Sequence, residues 1–295
     1  MSFAFDVCVI GSANLDLVAT TDRLPQPGET VLGSGYAEHA GGKGLNQAVA
    51  AARAGARTTF CGAVGDDAAA RQLTDVMAFD HVDATWFCHV DRCPTGRALI
   101  GVSAEGENSI IVVPGANARL AASDVTVAAG SARVVLVQLE VPLATVRAAL
   151  VAARAAGATT VLNPAPATEL PAELIGLCDV VIPNEHEVEL LGGVDALFAV
   201  GALAVVVTLG SRGAKLCRPG SPEVVVPAFV VDVIDTTAAG DAFCGGFATS
   251  LAAGATYLDA MRFGAATGAL ATTARGAVPS LPTRAEIDRL LTPEA

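Results

Sequence analysis

The stretch Val233-Ile234-Asp235-Thr236-Thr237-Ala238-Ala239-Gly240-Asp241-Ala242-Phe243 decides how this chain is read. Apolar runs precede it at Val224 to Val226 and Phe229 to Val231, and small residues follow it from Ala242 to Ala253. The pattern predicts strand, then a turn of Thr, Ala and Gly, then a buried helix. A helix start leaves backbone N–H groups without intrahelical partners. Those donors and the positive end of the helix dipole form an anion site, and Ala and Gly let a phosphate come close to the backbone. Asp241 then stands where it could take a proton from a hydroxyl attacking that phosphate. Read this way, the stretch performs phosphoryl transfer to a sugar hydroxyl, with Asp241 as base. The same Asp also fits an ordinary helix start, where a first-turn carboxylate complements the dipole, so the rest of the chain must weigh in.

Composition sets the outer bounds. A chain of 295 residues, 52% hydrophobic and 16% charged, can bury one large core or two. The net charge of −12 argues against a nucleic-acid partner, while ATP can still be held by local N–H groups and a metal. The seven cysteines are odd in number and show no C-x-x-C or zinc spacing, so they read as reduced thiols. No basic segment precedes the first apolar run, which carries Asp6, and the longest uncharged apolar run, Ala196 to Gly210, falls short of the ~18 residues that suggest a membrane span. The expectation is a soluble cytoplasmic protein without a membrane partner.

Moving outward, Val7-Cys8-Val9-Ile10 reads as a strand buried on both faces. It ends at Gly11-Ser12-Ala13-Asn14-Leu15-Asp16. Asn14 and Asp16 lie where ligands bind in parallel sheets and could hydrogen-bond a polyol, or could simply form an Asx turn. Thr30 to His39 reads as a partly exposed strand. Ala40-Gly41-Gly42-Lys43-Gly44-Leu45-Asn46-Gln47 then opens a helix. This is neither a Walker A loop nor G-x-G-x-x-G; it is a second place where backbone can approach a ligand, with Lys43 and Asn46 in reach, or a turn used only for packing. Thr85 to His89, Arg97 to Ser103 and Ser109 to Val113 are short β-like runs with a hairpin turn at Ala104 to Asn108. With residues near 15–39 they suggest a small β lid that excludes water. From residue 115 onward strands and helices alternate, with polar groups after each strand: Glu140, Asn163, Asn184-Glu185-His186-Glu187 and Thr208-Leu209-Gly210-Ser211-Arg212-Gly213. Glu187 is either a dipole complement or a water-mediated Mg²⁺ ligand. The reading is an α/β fold with a central, mostly parallel sheet flanked by helices: a main domain of residues 1–14, 40–84 and 115–295, and a discontinuous lid of 15–39 and 85–114.

These motifs, in this order, resemble the ribokinase-like PfkB family of sugar kinases, from about residue 6 to residue 290. Gly41-Gly42-Lys43-Gly44 with Asn46-Gln47, and Asp235 to Asp241, carry the resemblance. Gly11 to Asp16, Asn163-Pro164-Ala165-Pro166-Ala167 and Pro183-Asn184-Glu185 narrow it to the ribose-phosphorylating branch. The resemblance implies that D-ribose and ATP give ribose 5-phosphate and ADP. It implies ribose contacts from Asn14, Asp16, Gly42, Lys43, Gly44, Asn46 and Glu140, and Asp241 as base and as a further sugar contact. Ala238, Ala239 and Gly240 would supply anion-hole amides. ATP would be held by Asn184, Thr208 to Gly213 (Thr208, Leu209, Gly210, Ser211, Arg212, Gly213), Gly240 and the region of Ala265. Glu187 would help place Mg²⁺, and K⁺ would be held by Asp235, Thr237, Ala271, Ala274, Gly276 and Ser280. A homodimer through the lid is expected, since lid strands leave edges to cover.

Two departures stand out. Between Glu187 and Thr208 the chain has room for only a stunted helix, and Ala265 stands where some relatives carry a histidine beside adenine. Among rivals, a kinase for a nucleoside, deoxyribose or fructose phosphate shares the fold; Asn14 and Asp16 favour a free sugar, and Lys43 is a lone cation beside it. A non-catalytic sugar sensor would need neither Asp241 nor Glu187. A dinucleotide dehydrogenase would need G-x-G-x-x-G after the first strand.

Overall fold

All four residues of Val7-Cys8-Val9-Ile10 are buried. Successive side chains of a strand leave opposite faces, and here Val7 and Val9 join one hydrophobic core while Cys8 and Ile10 join another. Val134 and Leu136 against Val135 and Val137 divide the same way. The structure, a computed structural model that describes residues 3–292, thus has a sheet covered on both faces. Residues 1–2 and 293–295 of the expected main domain lie outside the described residues.

In chain order the first half contains β1 (Phe5–Ile10), β2 (Asn14–Thr21), β3 (Gly33–Gly41), α1 (Lys43–Arg53), β4 (Thr58–Val64), α2 (Ala68–Phe79), β5 (Asp83–His89), β6 (Gly96–Ser103) and β7 (Asn108–Val113). Then follow α3 (Ala122–Ala129), β8 (Ala132–Val137), α4 (Leu143–Ala156), β9 (Thr159–Leu162), α5 (Ala172–Ile175), β10 (Val180–Val181), α6 (Glu185–Leu190) and α7 (Val194–Ala199). The chain closes with β11 (Ala204–Thr208), β12 (Ala214–Cys217), β13 (Val224–Val226), α8 (Ala239–Ala252), α9 (Tyr257–Ala271), α10 (Ala277–Ser280) and α11 (Arg284–Leu291).

The main sheet has nine strands in the order β13-β12-β11-β10-β9-β8-β1-β4-β5. Strands from β11 to β5 run parallel, and β12 and β13 close one edge antiparallel. Helices α1, α2, α8 and α9 cover one face, and α3, α4, α5 and α7 the other. The chain builds β4 and β5 on one side of β1 and then returns to build β8 onward on the other. Such a reversal opens a crevice beyond the carboxyl ends of the strands.

A second sheet of four strands, β3-β2-β6-β7, stands at that crevice. β2 leaves β1 after three residues, and its first residue, Asn14, pairs with Gly41 at the end of β3. The loop after β1 and the glycines before α1 therefore lie side by side. β6 runs parallel to β2, and β7 is its antiparallel partner.

Two sequence expectations need correction. Thr85 to His89 belongs to β5, which pairs with β4 in the main sheet and not in the lid. Its alternate residues pack into different cores, Phe87 into one and Trp86 into the other, so a period of two could not tell which sheet owned it. Phe229 to Val231 forms no strand: Pro227 lacks an N–H to extend the ladder beyond β13, Phe229 packs against the core, and Val230 is exposed. Between Glu187 and Thr208 the chain holds the tail of α6, then Gly192 and Gly193 at positive φ, then one whole helix of 6 residues, α7, the short helix expected there.

Candidate active site

The start of α1 forms one wall of the crevice. Its N-cap, Gly42, has φ 89, and a Cβ there would lie 2.8 Å from the Asn14 backbone nitrogen. A Cβ at Gly44 would lie 2.7 Å from the backbone of Gly11 and Ser12. Only glycines allow the helix to sit this close to the end of β1. The contact sets α1 in register: Leu45 N–H donates to the Ser12 carbonyl at 2.9 Å. Glu140 completes the wall, accepting from the Ser12 hydroxyl and, at 3.0 Å, from the Lys43 N–H. Asn14 is buried, and its Oδ1 accepts from Asn117 Nδ2 at 2.7 Å.

The start of α8 forms the facing wall. Ala238, its N-cap, adopts φ 59 in the left-handed region, a strained conformation for a residue with a Cβ. Ala239 N–H turns back to the Thr236 carbonyl, while the next N–H groups, of Gly240 and Asp241, find no backbone acceptor among the described residues. Gly240 is exposed, and a Cβ there would meet nothing within 4 Å. Free donors therefore face open space.

Asp241 lies where the walls meet and is buried. Its Oδ2 accepts from Asn46 Nδ2 at 3.0 Å and its Oδ1 from Gln47 Nε2 at 2.9 Å. Asp16 is close enough to feel it: burial first, then the charges of Glu140 and Asp241, push the Asp16 carboxyl up to about 7. Lys43 is pushed up chiefly by the Asp241 charge, against its own burial. Asp16, Lys43, Asn46, Glu140 and Asp241 thus lie close together, beside Asn14, Gly42 and Gly44.

On the other flank, Asn184 caps α6, accepting from Glu187 N–H at 2.8 Å, while Glu187 Oε2 accepts from Asn184 N–H at 2.8 Å. Glu187 is buried, and its carboxyl is pushed up by that burial against the Asn184 hydrogen bond and the Lys43 charge. Its other oxygen has no protein donor among the described residues, which leaves it able to hold a metal-bound water. Asn184 bridges to Thr208, and Leu209 to Gly213 folds into a tight turn with Ser211 and Arg212 exposed. Arg212 pairs with Glu185. Ala265 is buried in the core on α9 and contributes no side-chain polar atom. Among the described residues no group of three or more His, Cys, Asp and Glu side chains could hold a metal ion. A site resting on one carboxylate and water suits Mg²⁺, which keeps several waters and leans on phosphates.

Of the expected monovalent-cation residues, hydrogen bonds tie three together. Asp235 accepts from Thr237 N–H at 2.9 Å, Thr237 Oγ1 at 2.7 Å and Gly276 N–H at 2.9 Å. Burial raises the Asp235 carboxyl, but the bonds from Gly276 and Thr237 outweigh it and leave it below its ordinary value. Ala271, Ala274 and Ser280 lie along the segment from the end of α9 to α10, and Ser280 Oγ donates to the Ala277 carbonyl at 2.9 Å. Arg53 holds this segment by donating to the carbonyls of Val278 at 2.9 Å and Leu281 at 2.8 Å.

Sequence reasoning gave no role to Ser12, Gln47, Asn117, Gln138 and Asn163, each of which hydrogen-bonds a candidate site residue or its immediate partner. Gln47, Ser12 and Asn163 had a local signal, their places beside Asn46, in Gly11 to Asp16 and in Asn163 to Ala167, whereas Asn117 and Gln138 had none.

The sequence matches the pfkB family carbohydrate kinase over residues 4–284. The chain belongs to the PfkB family of carbohydrate kinases. Within it, the chain is 41% identical to the ribokinase of Haemophilus influenzae over 94% of this chain and 95% of that one. The structure superimposes on that of Arabidopsis thaliana ribokinase complexed with ribose and ATP with a TM-score of 0.92, at 31% identity and with 100% of both chains covered. The ribokinase of Thermotoga maritima matches with a TM-score of 0.90 at 32% identity, covering 97% of this chain and 98% of that one. The PfkB assignment agrees with the two signatures that suggested it and with the ribokinase-like α/β architecture.

Proposed function

We propose that this PfkB-family chain is an ATP-dependent D-ribose kinase that phosphorylates O5. The observation that carries the reading is the position of Asp241, hydrogen-bonded to two side chains of α1 while standing in the first turn of α8, where backbone donors are free. A sugar bound along Asn14, Asp16, Gly42, Lys43, Asn46 and Glu140 brings its terminal hydroxyl to Asp241. The proton passes to the carboxylate, the hydroxyl oxygen forms a bond to the γ-phosphorus, and the bond to the β–γ bridging oxygen breaks to release ADP. The N–H groups of Gly240 and Asp241 meet the charge that develops on the phosphoryl oxygens. Asn46 Oδ1 is buried with no hydrogen-bond partner among the described residues and is left to accept a hydrogen bond from a sugar hydroxyl. Relatives with the same architecture are named as ribokinases, one of them bound to ribose and ATP.

ATP lies along Asn184 and the Thr208 to Gly213 turn, towards Gly240, with its base near Ala265. Glu187 would hold Mg²⁺ through water, and the ion supplies positive charge to the phosphate oxygens. Asp235, Thr237 and the carbonyls of the segment from Ala271 to Ser280 would hold K⁺ beside the N-terminus of α8. The lid of β2, β3, β6 and β7 closes over the sugar and pairs with a second copy. Supporting that pairing, Ile110 to Val113 on the edge strand β7 are all exposed, an apolar run that a lone subunit would leave in water. The free thiols and the use of ATP suit the cytoplasm.

A coupled ADP-release assay across ribose, deoxyribose, fructose, fructose phosphate and nucleosides, with K⁺ or with tetramethylammonium, tests this reading. Ribose should give the highest kcat/KM, and K⁺ should raise turnover. Adenosine or deoxyribose turning over while ribose stays inert would sink the substrate assignment.

A further inference from the structure

Both oxygens of Asp241 are held by α1, but the two donors differ in what else they do. Asn46 keeps one acceptor, its buried Oδ1, without a partner among the described residues, and the proposed function gives that acceptor to the sugar. Gln47 is fully buried, and all its polar capacity is spent inside the protein. One Nε2 hydrogen goes to Asp241 Oδ1 at 2.9 Å and the other to Asn163 Oδ1 at 3.1 Å, while Oε1 accepts from Gln138 Nε2 at 2.6 Å. Asn163 is itself oriented, since its Nδ2 donates to the Ile182 carbonyl at 3.0 Å.

This chain of amides has only one consistent direction. The Ile182 carbonyl requires the Asn163 nitrogen, which turns the Asn163 oxygen to Gln47. That oxygen and the Asp241 carboxylate both require donors, so Gln47 presents its nitrogen to them and its oxygen to Gln138. A flipped Gln47 would set its oxygen against two acceptors, and its nitrogen against a donor unless Gln138, whose Oε1 has no partner among the described residues, turned with it. The end of β9 and the residue after β10 thereby dictate how the Asp241 carboxylate is turned. Gln47, Gln138 and Asn163 come from positions far apart in sequence, and none of the three belongs to the turn that forms the anion cradle.

We propose that Gln47 is a positioning residue that, oriented by Gln138 and Asn163, fixes the Asp241 carboxylate towards the sugar hydroxyl independently of whether sugar is bound. This rests on the reading of Asp241 as base. It assigns Gln47 to the rate of transfer and not to the affinity for sugar, because Gln47 has no group left to offer a ligand.

The test uses the full chain with Gln47→Met and with the pair Gln47→Met/Gln138→Met. The single change strands the Gln138 donor, and the pair removes that donor too; both variants leave Asp241 Oδ1 without its Gln47 donor, while Asn163 is exposed enough to turn its freed oxygen to water. Ribose affinity is read by calorimetry, kcat by the coupled assay and folding by thermal melting, with Asp241→Asn as a parallel control. The expected result is a kcat about 10- to 100-fold lower in both variants, ribose Kd within about threefold of the parent, and a higher melting temperature, but no higher kcat, in the pair than in the single variant. A folded pair with kcat within about twofold of the parent overturns the proposal, as does a loss of kcat matched by an equal loss of ribose affinity. Should Asp241→Asn itself keep its turnover, the base assignment falls instead, and the two failures are told apart by that control.

Discussion

The two walls of the cleft are made differently. Along the start of α1, polar side chains are bonded to one another, Asn14 to Asn117, Glu140 to Ser12 and Gln47 to Asp241, and all but the half-buried Glu140 are buried. Along the start of α8 and the turn after β11, the groups on offer are backbone amides and exposed side chains, with open space before Gly240. A pattern of sugar hydroxyls can be told from another only by donors and acceptors held in fixed orientation, which needs a packed network. A phosphate chain needs positive potential and N–H groups, which a helix start supplies wherever it is exposed. One wall is therefore intolerant of change in the free protein, and the other is tolerant until substrate arrives.

The sharpest test of where the walls meet is Asp241→Asn. It should lower kcat at least about 100-fold, since a general base contributes about 10²–10⁴, and leave ribose affinity nearly intact by calorimetry. Near-parent turnover would remove the meeting point altogether. Next come two glycine substitutions that set wall against wall. Gly42→Ala must hold a Cβ at φ 89 against the Asn14 backbone, so denaturant unfolding should show a loss of roughly 3 kcal/mol and ribose binding should disappear. Gly240→Ala meets nothing within 4 Å; its melting temperature should be unchanged while its turnover falls about tenfold. Equal stability losses in the two variants would erase the contrast.

The smallest effect concerns Asp16. Its carboxyl is raised from 3.8 to about 7 by burial and by the charges of Glu140 and Asp241. The folded protein thus binds more protons than the unfolded chain between these values, and stability falls as pH rises through that window. Asp16→Asn cannot titrate, so it should gain on the parent between about pH 4 and pH 7 and hold the gain above. The expected size is on the order of 2 kcal/mol, less than the ~4 kcal/mol of a full three-unit shift, because Asp16 keeps some exposure. Urea unfolding of both proteins at pH 5 and pH 8 measures it; a pH-independent difference would show that the carboxylates do not share the wall.

Residues next to one another in sequence were the legible part. Strand β1 could be read because four consecutive apolar residues imply a sheet covered twice, and the α8 cradle because a turn of small residues before a helix leaves donors free whatever surrounds it. The glycines before α1 were legible as a close approach, though not what they approach. The membership of β5 was hidden, because its residues satisfy either sheet equally well.

What the sequence by itself determined, then, are features whose physics is local: hydrogen-bond counting at helix ends, the period of a strand, the φ freedom of a glycine. Only the tertiary structure decided that Asn46 and Gln47 reach Asp241, that Asn163 and Gln138 orient Gln47, and that Asp16 feels the charges of Glu140 and Asp241. Those contacts join residues up to 195 positions apart. Orientation and charge coupling depend on distance in space, and the order of strands in the sheet sets that distance.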